Sequence, residues 1–270
     1  MSNATKIEAA GSPLIIAHRG ASAAAPENTR AAFRRAMEAG ADGVEFDVRL
    51  AKDGVPVVIH DAALMRLASI PTRVSDLDSA ELSKVDVGSW FNRAHAELAD
   101  PAFANETVPT LAEVLELLAG LSGKIYIELK CDGEAEMHAL TDAVAAVIGH
   151  SRLLPQMIVK SFRLGVIPRI RCAVPEVRTA ALFAPQMMRY LRKEKYLINI
   201  AREFGADHLS LHRSLVSRKL VRKAEAFGLP VTAWTVNKTH WFEKAAQNAL
   251  YAVITNDPAK LLEVRNAASS

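Results

Sequence analysis

The chain contains, at residues 43–61, the stretch GVEFDVRLAKDGVPVVIHD, which decides the fold. Two apolar runs in it, Gly43–Leu50 and Pro56–His60, are joined by a link too short for a parallel crossover. The link contains Asp53-Gly54, and Asp-Gly between alternating apolar residues is the strongest short hairpin signal. The two runs are therefore predicted to pair antiparallel.

The register of this hairpin determines where its polar side chains lie. A two-residue turn centred on Asp53-Gly54 places His60 directly opposite Asp47. Directly opposed residues of an antiparallel pair share one face of the sheet, with Cβ atoms roughly 5 Å apart. The sequence thus predicts that the hairpin brings a histidine beside a carboxylate.

The hairpin also fixes the number of strands in the main sheet. Nine short apolar runs alternate with longer amphipathic stretches, which favours a parallel sheet with helices outside and, at this length, a closed barrel. Because the run after Asp53-Gly54 is a hairpin arm, eight barrel strands remain. The predicted barrel strands are Leu14–Ala17, Gly43–Leu50, Lys124–Leu129, Met157–Val159, Arg178–Phe183, His208–Leu211, Val231–Val236 and Ala252–Ile254, and the hairpin arm is Pro56–Ile59.

The whole chain, residues 1–270, is expected to form one domain, an α/β fold with a closed (β/α)8 barrel. The alternation breaks between about residues 62 and 107, which are predicted to be a small insertion after the hairpin that follows the second barrel strand. A helix is predicted to begin after Thr110, because Thr110 and Glu113 have the spacing of a capping box. Residues 1–12 are expected to be a loose N-terminal tail.

Composition narrows the class of protein. Half of the residues are apolar, 23% are charged and the formal net charge is +3, a balance too mild to predict a nucleic-acid partner. The cysteines, Cys131 and Cys172, predict neither a disulfide framework nor a thiolate metal site. The N-terminus lacks the apolar stretch of a signal peptide, and no apolar run approaches the roughly 18 residues of a membrane span. We therefore expect a cytoplasmic protein without stable membrane association.

Three carboxylates occupy strand positions that favour a common site. Glu45 and Asp47 have the same parity in their strand, so both project from one face. Glu128 lies in a second strand, where alternate positions again place an acid and a base on one side. Each acid alone is more readily a surface or ion-paired residue, but three of them at the carboxyl end of a barrel suit a hard divalent cation, Mg²⁺ or Ca²⁺.

Basic groups and histidines flank these acids. Arg19 can bind phosphate oxygens through two parallel N–H groups and Lys130 as a point charge, with salt bridges to the neighbouring acids as the structural alternative. His18 and His60 end apolar runs, and either of them alone is more often a structural residue. Together beside the same carboxylates they favour catalysis, because phosphodiester cleavage needs one proton taken and another given.

The chain resembles the glycerophosphodiester phosphodiesterase family through motifs that follow the family's order from near its start almost to its end. The combination of His-Arg-Gly, Pro-Glu-Asn-Thr and a Glu-x-Asp strand is specific, whereas Trp-Thr-Val-Asn alone is weak. The matching segments are HRG 18–20, PENT 26–29 with Ala32-Phe33, GAD 40–42 with EFDV 45–48, KDG 52–54, VVIHD 57–61, VPTL 108–111, IELK 127–130, SF 161–162, WTVN 234–237 and ITNDP 254–258.

This resemblance implies an irregular TIM barrel with a small insertion, which agrees with the features predicted from the residues. It also implies roles by matching position: the metal ion for Glu45, Asp47 and Glu128, proton transfer for His18 and His60, the phosphate for Arg19 and Lys130, and one wall of the substrate pocket for Trp234. Plain barrel packing is the alternative for the tryptophan. The chain departs from the family pattern at Ala51, Arg163 and Leu67-Ala68, none of which is a predicted ligand or proton-transfer group, so the departures bear on the substrate.

These features together predict metal-dependent hydrolysis of a glycerophosphodiester to glycerol phosphate and an alcohol, with His18 as base and His60 as acid. The attacking oxygen belongs either to water or to the substrate's own glycerol hydroxyl, which would pass through a cyclic phosphate. One alternative is a lysophospholipase D acting on lysophospholipids, for which the candidate apolar contacts are Trp90, Phe91, Phe183 and Met187-Met188. Another is a non-catalytic barrel that binds a phosphorylated metabolite.

Overall fold

Eight parallel strands close into a barrel in the computed structural model, which describes residues 12–189 and 195–269. The first strand pairs in parallel with both the second and the last, and this pairing closes the sheet. The predicted TIM (β/α)8 architecture is confirmed. In chain order the strands are β1 Leu14–His18, β2 Gly43–Leu50, β3 Pro56–Val58, β4 Lys124–Leu129, β5 Met157–Ser161, β6 Arg178–Phe183, β7 His208–His212, β8 Val231–Trp234 and β9 Ala252–Thr255, of which β3 is the hairpin arm.

The hairpin is present, but its register differs from the predicted one. β3 pairs antiparallel with β2, and Val48 lies opposite Val58. One position further, the N–H of Ile59 donates to the carbonyl of Asp47 at 3.0 Å. Ile59, not His60, is therefore the residue opposite Asp47, and the prediction that His60 takes this position is wrong.

The turn between β2 and β3 explains the shift. Its loop has three residues, 52–54, because the N–H of Ala51 donates to the carbonyl of Val55 at 3.0 Å and the N–H of Gly54 donates to the carbonyl of Ala51 at 3.0 Å. Gly54 has a φ of +79°, so a left-handed residue follows the tight turn. The extra loop residue moves every cross-strand pair by one position.

Helices cover the outside of the barrel. The first begins after Thr29, whose hydroxyl accepts a hydrogen bond from the N–H of Ala32. Thr110 and Glu113 form the predicted capping box at the start of another. The α-helices are α1 Arg30–Glu38, α2 Met65–Ala68, α3 Ser79–Leu82, α4 Ser89–Ala94, α5 Leu111–Leu117, α6 Glu134–Ile148, α7 Val166–Ala173, α8 Lys195–Glu203, α9 Arg218–Glu225, α10 Thr239–Gln247 and α11 Pro258–Ser269.

The segment between β3 and α5 packs over the hairpin. Residues 62–107 contain the three short helices α2 to α4 and three 3-10 helices. Leu64 and Leu67 of this segment belong to one buried apolar cluster with Val57 and Ile59 of the hairpin arm. The segment is thus anchored to the strand that leads directly to His60.

Apolar side chains fill both faces of the barrel sheet. Outside the barrel, the rings of Phe33 on α1 and Phe46 on β2 meet edge to face at 5.6 Å. Inside it, a smaller apolar cluster closes the floor below the carboxyl ends of the strands: Ile16, Tyr126, Ile158, Ala180, Ala252 and Ile254. Because Phe46 faces α1, its neighbours Glu45 and Asp47 face the interior of the barrel.

Of the expected N-terminal tail, residues 1–11 lie outside the described residues. Within 12–189 and 195–269, every helix is too short or too polar to cross a membrane.

Candidate active site

The register of four neighbouring strands brings most of the predicted site residues together. His18 of β1 is the register partner of Glu45 of β2, and Asp47 of β2 is the partner of Glu128 of β4. Glu128 in turn is the partner of Lys160, near the end of β5. Neighbouring strands lie about 4.8 Å apart, so partners on the inner face are adjacent side chains.

The carboxylates of Glu45, Asp47 and Glu128 form one buried cluster. The three residues are 0, 1 and 5% exposed, and one oxygen of each lies within 4.8 Å of the others. Three negative charges in so small and so buried a space are unfavourable unless positive charges compensate them. The structure therefore has to supply cations close to the cluster.

The first of these cations is Lys160, which is 2% exposed. Its Nζ lies 2.7 Å from Glu45 Oε1 and 3.2 Å from Glu128 Oε2. Burial lowers the pKa of an ammonium group, but the two carboxylates outweigh burial and raise the pKa of Lys160 above its ordinary value. The lysine is thus a permanent positive charge at the floor of the site.

The other two cations are Arg19 and Lys130, the predicted phosphate-binding residues. Arg19 Nε lies 3.1 Å from Asp47 Oδ2. Lys130 Nζ lies 2.5 Å from Glu128 Oε1 and 3.3 Å from Asp47 Oδ1. Both side chains are in the salt bridges that the sequence left open as the structural alternative, and both keep partial exposure, 17% for Arg19 and 16% for Lys130.

These charges keep Asp47 and Glu45 ionised. Burial alone would raise the pKa of Asp47, but the positive charges of Arg19 and Lys130 hold the pKa of that carboxyl far below its ordinary value. Burial also opposes ionisation of Glu45, and the charge of Lys160 outweighs it, so the pKa of Glu45 is lowered. Deprotonated carboxylates are the form that binds metal ions.

His18 is held between an amide and a carboxylate. Its Nδ1 lies 2.6 Å from Asn256 Oδ1, and its Nε2 lies 3.8 Å from Glu45 Oε2. An amide oxygen only accepts hydrogen bonds, so the proton of the neutral ring resides on Nδ1 and Nε2 keeps its lone pair. Burial lowers the pKa of His18, with the charge of Glu45 opposing it. The ring is thus neutral at pH 7, with a free basic nitrogen toward the acids.

His60 lies just beyond β3 with a side chain that is 32% exposed. Its Nδ1 lies 2.7 Å from Asp61 Oδ1. Because Ile59 lies opposite Asp47, His60 is only one residue beyond the partner of that acid, although the hairpin register is not the predicted one. The charge of His60 is also one of the causes that lower the pKa of Asp47. The carbonyl of His60 accepts a hydrogen bond from Arg49 Nε at 2.8 Å, which fixes the backbone at this point.

The turn after β1 has a conformation that fits few residues. Arg19, Gly20 and Asn28 have φ values of +56°, +78° and +58°. A Cβ at Gly20 would lie 2.6 Å from the backbone carbon of Ala32, so α1 packs directly on this turn. The amide of Asn28 donates to Asp47 Oδ2 at 3.1 Å, and its Oδ1 accepts from the N–H of Asp47 at 3.3 Å. The turn and the acid-bearing strand thus orient each other.

Trp234 lies at the carboxyl end of β8, in a row of rings at the barrel mouth. Its ring meets Phe162 at 5.7 Å and His212 at 5.3 Å, both edge to face. Phe162 is 38% exposed, and Lys130 Nζ lies 5.8 Å from the centre of its ring. The row therefore begins beside the cationic end of the site. Both sequence interpretations of Trp234 agree with this position, since it packs on other rings and also borders the mouth.

Sequence reasoning assigned no role to four residues that hold the site together: Lys160, Asn28, Asn256 and Asp61. Lys160 had a usable signal, because a lysine inside the buried run Met157–Ser161 is as costly as an acid there. Asn256 lies in the family motif ITNDP 254–258, but nothing in that motif points to His18, which is 238 residues away along the chain. The asparagine and aspartate pairings depend on side-chain geometry that a pattern does not show.

The donor set fits a divalent cation. Mg²⁺ and Ca²⁺ both prefer oxygen ligands, and carboxylates above all. One buried oxygen of each acid, Glu45 Oε1, Asp47 Oδ1 and Glu128 Oε1, lacks a hydrogen bond of acceptable geometry, although lysine nitrogens lie 2.5 to 3.3 Å away. Each carboxylate oxygen has two lone pairs, so an oxygen that is paired with a lysine can still contribute a ligand to such an ion.

Comparisons with known proteins identify the family. The sequence model of the glycerophosphoryl diester phosphodiesterase family matches residues 18–260. The glycerophosphodiester phosphodiesterase of Caldanaerobacter subterraneus subsp. tengcongensis is 32% identical over 257 residues, which cover 93% of this chain and 97% of that protein. A glycerophosphodiester phosphodiesterase of Bacillus subtilis is 30% identical over 251 residues, which cover 91% of this chain and 84% of that protein.

Solved structures agree with the sequence comparison. An Oleispira antarctica phosphodiesterase in complex with the product sn-glycerol-3-phosphate superposes with a TM-score of 0.81 at 28% identity, covering 96% of this chain and 97% of that one. The glycerophosphodiester phosphodiesterase of Agrobacterium tumefaciens superposes with a TM-score of 0.75 at 26% identity, covering 93% and 99%. The chain therefore belongs to the glycerophosphoryl diester phosphodiesterase family and is a phosphoric diester hydrolase.

Proposed function

We propose that this glycerophosphodiester phosphodiesterase works with a divalent cation and that His18 and His60 transfer the protons. The observation that carries the proposal is the cluster of Glu45, Asp47 and Glu128, three buried carboxylates that each have an oxygen within 4.8 Å of the others. A histidine belongs to each of the two chain segments that flank this cluster, β1 and the end of the hairpin.

Glu45, Asp47 and Glu128 would hold the cation, either Mg²⁺ or Ca²⁺. When bound, such an ion polarises phosphoryl oxygens and stabilises the negative charge that grows on them. The protein supplies ionised ligands in advance, because the charges of Arg19 and Lys160 keep the pKa values of Asp47 and Glu45 low despite their burial.

His18 is suited to be the base. Its free Nε2 is the nitrogen that would take the proton from the attacking oxygen, because Asn256 occupies Nδ1. Its lowered pKa leaves the ring unprotonated at neutral pH. As the new P–O bond forms, that proton moves to Nε2, and Glu45 at 3.8 Å stabilises the imidazolium that results.

His60 is suited to be the acid. Asp61 Oδ1 lies 2.7 Å from Nδ1 and holds that nitrogen in a hydrogen bond, so Nε2 is the nitrogen left for proton transfer. As the P–O bond to the alcohol breaks, Nε2 gives its proton to the departing oxygen. One proton is thus taken and one is given. The O–H bond of the attacking group and the P–O bond of the diester break, and a new P–O bond and the O–H bond of the alcohol form.

Arg19 and Lys130 are the groups that would bind the phosphate, and Trp234 would form a wall of the substrate pocket. Both cations lie at the open side of the acid cluster and remain partly exposed, in contrast to Lys160 below them. A small-molecule diester, of the kind whose product sn-glycerol-3-phosphate binds the Oleispira antarctica relative, is the proposed substrate.

Two of the apolar residues suggested for a lysophospholipid substrate are inaccessible to it. Phe91 and Phe183 are fully buried and cannot contact a lipid. The side chain of Met188 lies outside the described residues.

The expected cytoplasmic location stays a prediction.

The test is turnover of a panel of glycerophosphodiesters and lysophospholipids, followed by release of glycerol phosphate and alcohol. Activity with Mg²⁺ or Ca²⁺, loss in chelator and recovery on adding the ion back are expected. Full activity of a thoroughly chelated enzyme, verified free of metal by elemental analysis, would refute the cation requirement. Wild-type turnover by a His60→Ala variant would remove His60 from proton transfer, and ³¹P NMR during turnover distinguishes direct water attack from a cyclic phosphate.

A further inference from the structure

A single guanidinium outside the barrel bridges two carboxylates beside the site. Arg66, on α2 of the 62–107 segment, donates from Nε to Asp61 Oδ2 at 2.6 Å. The same group donates from NH1 to Glu27 Oε2 at 3.1 Å and from NH2 to Glu27 Oε1 at 2.7 Å. Paired N–H···O bonds of this kind fix the relative orientation of both partners.

Each of these carboxylates holds one residue of the proposed machinery. Asp61 Oδ1 lies 2.7 Å from Nδ1 of His60, the proposed acid. Glu27 Oε1 also accepts from NH1 of Arg19, the proposed phosphate ligand, at 2.8 Å. A continuous chain of charged hydrogen bonds therefore runs from the proton donor to the phosphate site, and Arg66 is its central member.

The backbone of Arg66 is well anchored although its side chain is 43% exposed. The next residue, Leu67, is 3% exposed and belongs to the buried cluster that contains Val57 and Ile59 of the hairpin. The guanidinium carbon lies 5.8 Å from the centre of the Trp90 ring, within the range of a cation–π contact. The 62–107 segment can thus present Arg66 at a fixed place.

We propose that Arg66 is a positioning residue for this hydrolysis, acting on His60 through Asp61 and on Arg19 through Glu27. The proposal rests on the proposed function, in which His60 protonates the leaving oxygen. It gives the 62–107 segment a role in the chemical step: the segment orients the acid that the hairpin carries. Loss of Arg66 should therefore harm reactions that need protonation of the leaving group more than reactions that do not.

The test compares two substrates in the holoenzyme with saturating cation. Glycerophosphoethanolamine has an alkoxide leaving group that needs a proton, whereas glycerol 4-nitrophenyl phosphate releases a stable phenolate that does not. For Arg66→Met we expect kcat on the alkyl diester to fall about 10-fold or more, a fraction of what a general acid contributes. On the aryl diester we expect only the smaller loss, about 2- to 3-fold, that comes from the weakened hold on Arg19.

Matched variants separate positioning from folding. Arg93, exposed on α4 of the same segment, is the control, and Arg93→Met should leave the alkyl-to-aryl rate ratio unchanged. Arg66→Lys keeps the charge but cannot reproduce the three-donor bridge, so its rate ratio should lie between those of the wild type and Arg66→Met. In the Arg66→Met/Asp61→Asn double variant, the ratio should fall no further than in Asp61→Asn alone, because both changes cut the same path.

The outcomes distinguish this proposal from the proposed function. If His60→Gln leaves the alkyl-to-aryl ratio unchanged, His60 is not the acid and the proposed function fails. If His60→Gln lowers the ratio while Arg66→Met and Arg66→Lys, both folded by circular dichroism, lower both rates equally or neither rate, the positioning role of Arg66 is overturned and the acid role stands.

Discussion

Replacing Lys160 by methionine should destabilise the protein strongly in the absence of divalent cations. The lysine is 2% exposed, and its Nζ contacts carboxylates at 2.7 and 3.2 Å. Methionine fills similar volume but leaves Glu45 and Glu128 without their buried counter-ion. Removing one partner of a buried ion pair costs about 3 to 5 kcal/mol, because the remaining charge stays desolvated and uncompensated.

The assay is urea unfolding of the chelated protein followed by circular dichroism. For a protein of this length, the expected loss corresponds to a Tm lower by roughly 10 °C. Lys52→Met is the matched control, since Lys52 is exposed in the hairpin turn and should change the free energy of unfolding by less than about 0.5 kcal/mol.

Added cation should then restore part of the lost stability. Without the ammonium group, the acids carry more uncompensated charge, so Mg²⁺ or Ca²⁺ should stabilise Lys160→Met more than the wild type at the same concentration. A ligand at 100 times its Kd contributes about 2.7 kcal/mol. A chelated Lys160→Met protein with the unfolding free energy of the wild type would show that the lysine does not compensate the acids.

Three further predictions concern positions around the barrel. Burial lowers the pKa of His208 to about 4, below its unfolded value of 6.5, so the folded state resists protonation. The free energy of unfolding should therefore fall by about 3 kcal/mol in total as the pH drops from about 6.5 to 4. A His208→Leu variant should lack this component when urea unfolding is measured across the same pH range. Glu106 accepts both of the first two N–H groups of α1 at 3.0 Å, so Glu106→Ala should cost about 1 to 2 kcal/mol, measured by the same unfolding assay. Gly20→Ala should lower both the free energy of unfolding and kcat, because the added Cβ would collide with α1. Gly40 has nearly the same φ, +77°, but no neighbour within 4 Å of an added Cβ, so Gly40→Ala should cost only about 1 kcal/mol. Equal effects of the two alanines would contradict the packing argument.

The sequence predicted the barrel because its evidence is periodic and local. Apolar runs of strand length recur between amphipathic stretches, and Asp53-Gly54 marks the one run that turns back. The hairpin register was not predictable from the same signal. Asp-Gly is compatible with a two-residue loop and with a three-residue loop ending in left-handed Gly54, and the two differ by one position in every pair.

The acids and histidines were predictable for a related reason, since ionisable groups inside apolar strands are costly unless they are used. Lys160 satisfies the same criterion but lies one residue beyond the predicted strand Met157–Val159, whereas the observed strand continues to Ser161. Asn256 and Arg66 are different. Both act through contacts with residues distant in the chain, His18 for the first and Glu27 for the second, and neither lies in a pattern that reveals its partner.

The balance of charges explains how one site can be stable before a ligand arrives and still bind one. Three acids face three cations, so the described cluster is close to neutral by itself. The cations are not equivalent: Lys160 is buried at the floor, while Arg19 and Lys130 lie at the mouth with 17 and 16% exposure. In the proposed function, Glu45, Asp47 and Glu128 would hold a divalent cation, and its charge would compensate them in place of Arg19 and Lys130. Arg19 and Lys130 could then bind the phosphate without leaving a buried carboxylate uncompensated. Lys160 would remain paired with Glu45 and Glu128, because it is buried below the mouth of the site.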